Sequence, residues 1–157
     1  MKRAQELTPL SRFHRTVLFT AQNCLANGAR FSGYPQKQND RRAHLVEHWP
    51  DIKGHFNFLT EALSNTEEVA NVELFHLIKS MNQEQKAILE SINRDKRILT
   101  EESLNQVGQL LEIHVRNTER KLFQCIQKED NNSLLHKIGS AVRSKSLYEG
   151  LIDIKRT

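Results

Sequence analysis

Three histidines fall where helical spacing puts the core. His14 lies between Leu10 and Val17, His55 between Ile52 and Leu59, and His114 between Leu111 and Leu122, with Thr118 following it. A fourth apolar series, Leu74, Leu77, Ile78, Met81 and Ile88, is broken by Gln85. A buried polar group without a partner costs about 1–3 kcal/mol, so several in one core predict mutual satisfaction. Imidazoles converging from different helices also make a transition-metal site, because neutral nitrogen donors on rigid helices need little reorganisation to take an ion. Glu119, five residues after His114, has the reach to supply the negative charge that a divalent cation needs; a surface ion pair with Arg116 or Arg120 accounts for it equally well. For any one histidine a satisfied core side chain is the simpler account, and it is their number that points to a metal.

The elements that carry these residues read as helices throughout. Apolar residues recur at three and four, alternating runs are few, and β-branched clusters between turn pairs are missing. The first helix is expected from Thr8 as N-cap with Pro9 in its first position, along Leu10, Phe13, Val17, Leu18, Ala21 and Leu25, to a stop near Asn27 and Gly28. A polar connection leads to a second helix from about Asp40 to Leu63, with Leu45, Trp49, Ile52, Phe56, Leu59 and Leu63 inward and a kink expected at Pro50. A third begins between Thr66 and Asn71 and runs to about Asn93, with Leu89 and Ile92 continuing its apolar face. Thr100 caps a fourth whose first turn holds Glu101 and Glu102 at the positive dipole end, and whose stripe of Leu104, Val107, Leu111, Val115, Leu122 and Ile126 ends near Lys128. A tail from Asn132 to about Ser144 has Leu134, Leu135, Ile138 and Val142 for a short amphipathic helix. The expected class is all-α, an up-down-up-down four-helix bundle over about residues 8–128 with a helical tail over about 132–149, in one domain of 157 residues.

Composition narrows the function. Nothing approaches the roughly 20 apolar residues that span a bilayer, and the charged start MKRAQELTPLSRFH has no signal-peptide core, so a cytoplasmic protein with no membrane partner is expected. Cys24 and Cys125 are too few for a disulfide framework and are expected reduced. The net charge of +4 comes from scattered basic groups, and the aromatics mostly fall on core positions, which is not the pattern of a nucleic-acid face. The six glycines form no phosphate loop, and no nucleophile motif is present. His44-Leu-Val-Glu-His48 fits the spacing of a zinc peptidase helix, but a third ligand is unassigned; an exposed helix face is expected there, as for His76 and His136. Gly108 and Gly54 fit either close helix approach or simple tolerance.

Three segments carry a resemblance. LTPLSRFHR at residues 7–15, Trp49 followed by His55 and Phe56, and HVRNTERKLF at 114–123 resemble the corresponding segments of the hemerythrin-like, or HHE cation-binding, family, in order and spacing over about Leu7 to Cys125. The resemblance implies a four-helix bundle with a non-haem di-iron centre, bound by histidines and bridged by carboxylates, for oxygen, nitric oxide or iron sensing and storage. Position by position, His14 matches the first-helix histidine while Arg15 replaces the second of the usual pair. His55 matches the ligand of helix two, but the carboxylate expected four residues later is Leu59, with Glu61 two residues out of phase. Glu84 and Gln85 stand where the family has Glu-His. His114 is kept, Thr118 replaces the first following carboxylate, and Glu119 keeps the second.

These replacements change the chemistry the resemblance implies. Two divalent ions bring four positive charges into a low-dielectric core, and one carboxylate is too few to offset them. Three neutral histidines and Glu119 suit one ion, Fe(II), Mn(II) or Zn(II), more than a di-iron pair. The expected site is therefore His14, His55, His114 and Glu119 as metal ligands, with Gln85, Thr118 and Glu84 as outer partners or weak ligands, no catalytic residue, and oxygen or nitric oxide as a small ligand. The alternative is a metal-free interaction or structural bundle, a homodimer or a partner-binding protein, in which the polar groups satisfy one another.

Overall fold

The computed structural model describes residues 2–25, 38–64, 71–92, 96, 99–128 and 132–152. All regular elements among them are helical: α1 (Thr8–Cys24), α2 (Gln38–Ala62), α3 (Val72–Ser91), α4 (Glu101–Asn117), a π-turn (Thr118–Leu122), α5 (Phe123–Lys128), α6 (Asn132–Arg143) and a 3-10 turn (Ser146–Tyr148). No helix among the described residues is long and apolar enough to cross a membrane. The stops expected at Asn27, Gly28 and Asn93, the connection over 29–37 and the earliest start expected for the third helix, Thr66, lie outside the described residues.

The helices begin and end for local reasons. Thr100 caps α4 by accepting from Ser103 N at 3.1 Å, as its sequence predicts, and Asn71 does the same for α3 through Leu74 N. Thr8 does not cap α1. A preceding turn already gives acceptors to the first amides, with Leu7 N and Thr8 N both bonded to Ala4 O, and the Thr8 hydroxyl donates to that same carbonyl. α1 ends at Cys24 because Arg41 supplies donors to its last carbonyls: Nε to Asn23 O and Nη2 to Cys24 O, at 2.9 and 2.6 Å. α2 runs unbroken through Pro50, which is exposed. The carbonyl that loses its amide partner there belongs to Val46, an exposed residue.

The expected stripes are the core. Leu10, Phe13, Val17 and Ala21 of α1, the six inward residues of α2, and Leu104, Val107, Leu111, Val115, Leu122 and Ile126 are all buried. Leu18, Leu25, Leu77 and Leu135 are only half-buried, and Leu89 is 36 % exposed. α1 packs against both α2 and α4, and α3 against α4. The α1–α4 approach is what Gly108 permits: a Cβ there would sit 2.7 Å from Ala21 O and 2.9 Å from the Leu25 side chain. At Gly54 a Cβ would meet Leu147 at an ordinary 3.7 Å, so tolerance explains that one. α6 buries Leu134, Ile138 and Val142 and returns the chain toward α2, where the 3-10 turn sets Tyr148 against Phe13 and Phe58.

Candidate functional site

Four elements meet at one chain of side chains. His14 on α1 and His55 on α2 bring their Nε2 atoms to 2.9 Å, and neither ring is more than 2 % exposed. Each is held on its other nitrogen: His14 Nδ1 by Glu119 Oε1 at 2.9 Å, and His55 Nδ1 by the Tyr148 hydroxyl at 2.8 Å. Phe123 stacks on His14 at 5.7 Å between ring centres and Phe13 packs on His55 at 4.7 Å, so both imidazoles are clamped in orientation. Glu119 is itself anchored, its Oε2 accepting from Ser11 Oγ and Arg3 Nη2 at 2.9 and 2.8 Å.

Electrostatics fixes the direction of the hydrogens. Burial lowers the pKa of His14 against the opposing pull of Glu119, and holds His55 well below the ordinary value, with the neighbouring histidines adding to the effect. Burial alone would raise the Glu119 carboxyl, but the hydrogen bonds from His14 and Ser11 and the Arg3 charge outweigh it and keep it ionised. An ionised carboxylate only accepts, so His14 Nδ1–H donates to it and His14 Nε2 carries a lone pair. His55 Nε2–H must donate to that lone pair, which leaves His55 Nδ1 to accept from the Tyr148 hydroxyl. Tyr148 is fully buried and its ionisation is pushed up by burial, so it keeps the proton the chain requires.

The third histidine is buried too but bonds to a different partner. His114 Nδ1 lies 3.1 Å from Glu84 Oε1, and Glu84 Oε2 accepts from Asn117 Nδ2. Phe56 meets the His114 ring edge-on at 5.0 Å. Its Nε2 is buried with no hydrogen-bond partner. Gln85 is alike: its Oε1 accepts from Thr60 Oγ1 at 2.8 Å while its Nε2 is buried and unpaired. Thr118 donates to His114 O at 2.8 Å, back-bonding at the point where α4 widens into the π-turn. Such turns insert one residue into a helix and recur at functional sites.

No family model matches the chain, and neither the curated proteins nor the solved structures contain a match.

The site therefore has to be judged on its own donors. Two nitrogens bound side by side on one ion at about 2.0–2.1 Å would be about 2.9–3.4 Å apart, which the His14–His55 pair satisfies. Among the described residues, no group of three His, Cys, Asp or Glu side chains is gathered as an ion would need. His114 is near enough for its charge to bear on both other rings, yet its Nε2 stands apart from the pair. Glu119 has both oxygens committed, one to His14 Nδ1 and the other to Arg3 and Ser11, and Glu84 is committed to His114 and Asn117. Two nitrogens stand at a spacing one nitrogen-preferring ion could span, and the committed carboxylates do not fit a carboxylate-bridged pair of ions.

Sequence spacing found His14, His55, His114, Gln85 and Thr118 at buried positions. Tyr148, Arg3, Ser11 and Phe123 carried no signal of their own, because each meets the site from a segment distant in sequence or off the apolar stripe. His44 and His48, the zinc-peptidase spacing, stack on each other at 4.3 Å between ring centres, and His44 Nε2 lies 3.1 Å from Thr20 Oγ1. His76 and His136 are exposed.

Proposed function

We propose that the chain binds one divalent transition-metal ion, with iron(II) the leading choice and Mn(II) or Zn(II) suited to the same donors. His14 and His55 hold it through Nε2, and His114 closes on it as the third nitrogen. In this reading the protein is a cytoplasmic, hemerythrin-like, up-down-up-down bundle that senses, stores or presents its metal to oxygen or nitric oxide, and it is not a turnover enzyme. The ion would supply a Lewis-acidic, redox-capable centre; the chain orients the ligands and excludes water around them.

The observation that carries the reading is the division of labour on three buried imidazoles. Each has Nδ1 engaged from outside, by Glu119, Tyr148 or Glu84, while Nε2 faces only another histidine or nothing. A carboxylate on Nδ1 orients a metal-binding histidine and makes its other nitrogen more basic, as Glu119 and Glu84 would for His14 and His114, while the Tyr148 hydroxyl orients His55 and would have to turn from donor to acceptor there. Glu119, Glu84, Thr118 and Gln85 act in this arrangement as supports around the nitrogens.

A second reading has its own observation. The series Tyr148, His55, His14 and Glu119 is complete without an ion, which suits a metal-free bundle that presents an outer helix face to a partner or to a second copy. Anaerobic titration with Fe(II), Mn(II) and Zn(II), followed by desalting and metal analysis, separates the two. About one equivalent per chain, lost in His55→Ala with helix content retained, supports the metal reading. No retained metal in a folded native chain selects the metal-free bundle, and two equivalents contradict both.

A further inference from the structure

The three outer partners of the histidines differ in what lies behind them. Tyr148 is fully buried, and Glu119 is neutralised by Arg3 and roofed by Ser11. Glu84 instead forms part of the wall of a cleft of about 160 Å³ between α3 and the π-turn, with Ser80, Asn117, Thr118 and Lys121 around it and Met81 among its apolar neighbours. A water needs about 10–15 Å³ of such space, so the cleft has room for a cation with part of its hydration shell. Glu84 is hydrogen-bonded there only to His114 and Asn117 among the described residues, with no Lys or Arg on it. Behind it stands His114, whose Nε2 is one of the two unpaired buried nitrogens of the core.

We infer that this cleft is the port through which a hydrated divalent cation reaches the histidines, with Glu84 as its first carboxylate and Lys121 at the rim slowing its arrival. The inference rests on the metal-binding reading and adds the route. The π-turn has a purpose in it: the widened backbone at Thr118–Leu122 opens α4 beside α3. A cation in the cleft meets one negative side chain that is already bonded to a histidine, so displacing Glu84 from His114 or Asn117 links arrival to delivery. The other cleft beside the site, lined by Gly54, Glu61, Lys145 and Tyr148, reaches His55 only past the buried tyrosine.

The test separates rate from equilibrium. Co(II) uptake by the full metal-free chain is followed by its visible absorption in stopped flow, and bound cobalt is counted at equilibrium. Glu84→Gln should slow association about tenfold, and Lys121→Glu, an exposed position that leaves the fold alone, should speed it about three- to tenfold at low salt. The Lys121→Glu gain should shrink at 0.5 M salt, where the screening length falls to a few ångströms. Stoichiometry should stay that of the native chain in Lys121→Glu. Native association rates in both variants, a Glu84→Gln effect confined to dissociation, or a slowing by Glu61→Gln in place of Glu84→Gln would each overturn the port and leave the metal site standing. No cobalt bound by the native chain overturns the port and the metal site together.

Discussion

The molecule buries two polar centres, and they are finished to different degrees. At the Arg41 clamp all three guanidinium nitrogens have acceptors: Asn23 O, Cys24 O and both oxygens of Glu101. Among the described residues the loose ends nearby are amide oxygens of Gln22 and Asn23, residues whose amide nitrogens are bonded. At the histidines the unpaired atom among the described residues is a nitrogen, His114 Nε2, on a ring already held from its other side by Glu84, and Gln85 Nε2 elsewhere in the core is unpaired as well. A buried network closed on itself serves the fold; one with oriented nitrogens left over has room for something else. The clamp joins α1, α2 and α4, whereas the histidine centre gives up stability where it is left open.

Breaking the clamp should have the larger effect on folding. Arg41→Met strands Glu101 and two helix-end carbonyls, and is expected to lower unfolding free energy by about 3 kcal/mol, the low end for a buried ion pair because Glu101 is half exposed and solvent-screened. Urea denaturation checks it, and metal uptake should be unchanged. Tyr148→Phe opens the closed side of the histidine centre by removing the donor to His55 Nδ1, and should cost about 1–2 kcal/mol by the same measurement. His114→Leu should act in the opposite sense. It removes an unpaired buried nitrogen together with the Nδ1 contact to Glu84, which is partly exposed and keeps Asn117, so the metal-free chain is expected to gain up to about 1 kcal/mol while metal binding weakens. Destabilisation by this variant would mean that His114 is satisfied in some way other than the geometry here.

Acid should distinguish the centres too. His14, His55 and His44 are all held below the ordinary histidine value of 6.5, His44 down to about 4 by burial and by His48, against Glu47. A histidine neutral in the fold and charged when unfolded adds stability above 6.5, which is lost as pH falls toward its folded pKa. Glu119, also depressed, adds a loss of the same sign below the usual carboxylate value of 4.5. The urea midpoint of the metal-free chain should therefore fall steadily from pH 7 to 4. A midpoint that rises over that range contradicts the neutral-histidine assignment, and Arg41→Met should keep the native slope.

Much of this was legible in spacing. Helix stripes, the Thr100 cap and the inward histidines depend on neighbours three or four residues away, which a sequence displays directly. The π-turn was hidden because Val115 and Leu122, both buried, are seven apart, a spacing a regular helix also allows. Thr8 was misplaced because its acceptor, Ala4 O, belongs to a turn that no apolar period announces. The partners of the histidines were least visible: Arg3 meets Glu119 and Tyr148 meets His55 across 116 and 93 positions, and only the packed chain chooses them.

That last separation also has a meaning in time. A ribosome adding about 5–20 residues per second makes Tyr148 roughly 5–20 s after His55, since 93 positions lie between them. For that interval the nascent chain owns His14 and His55 but not the hydroxyl that sets the hydrogen on His55. The site is thus completed only after most of the helices around it have been made.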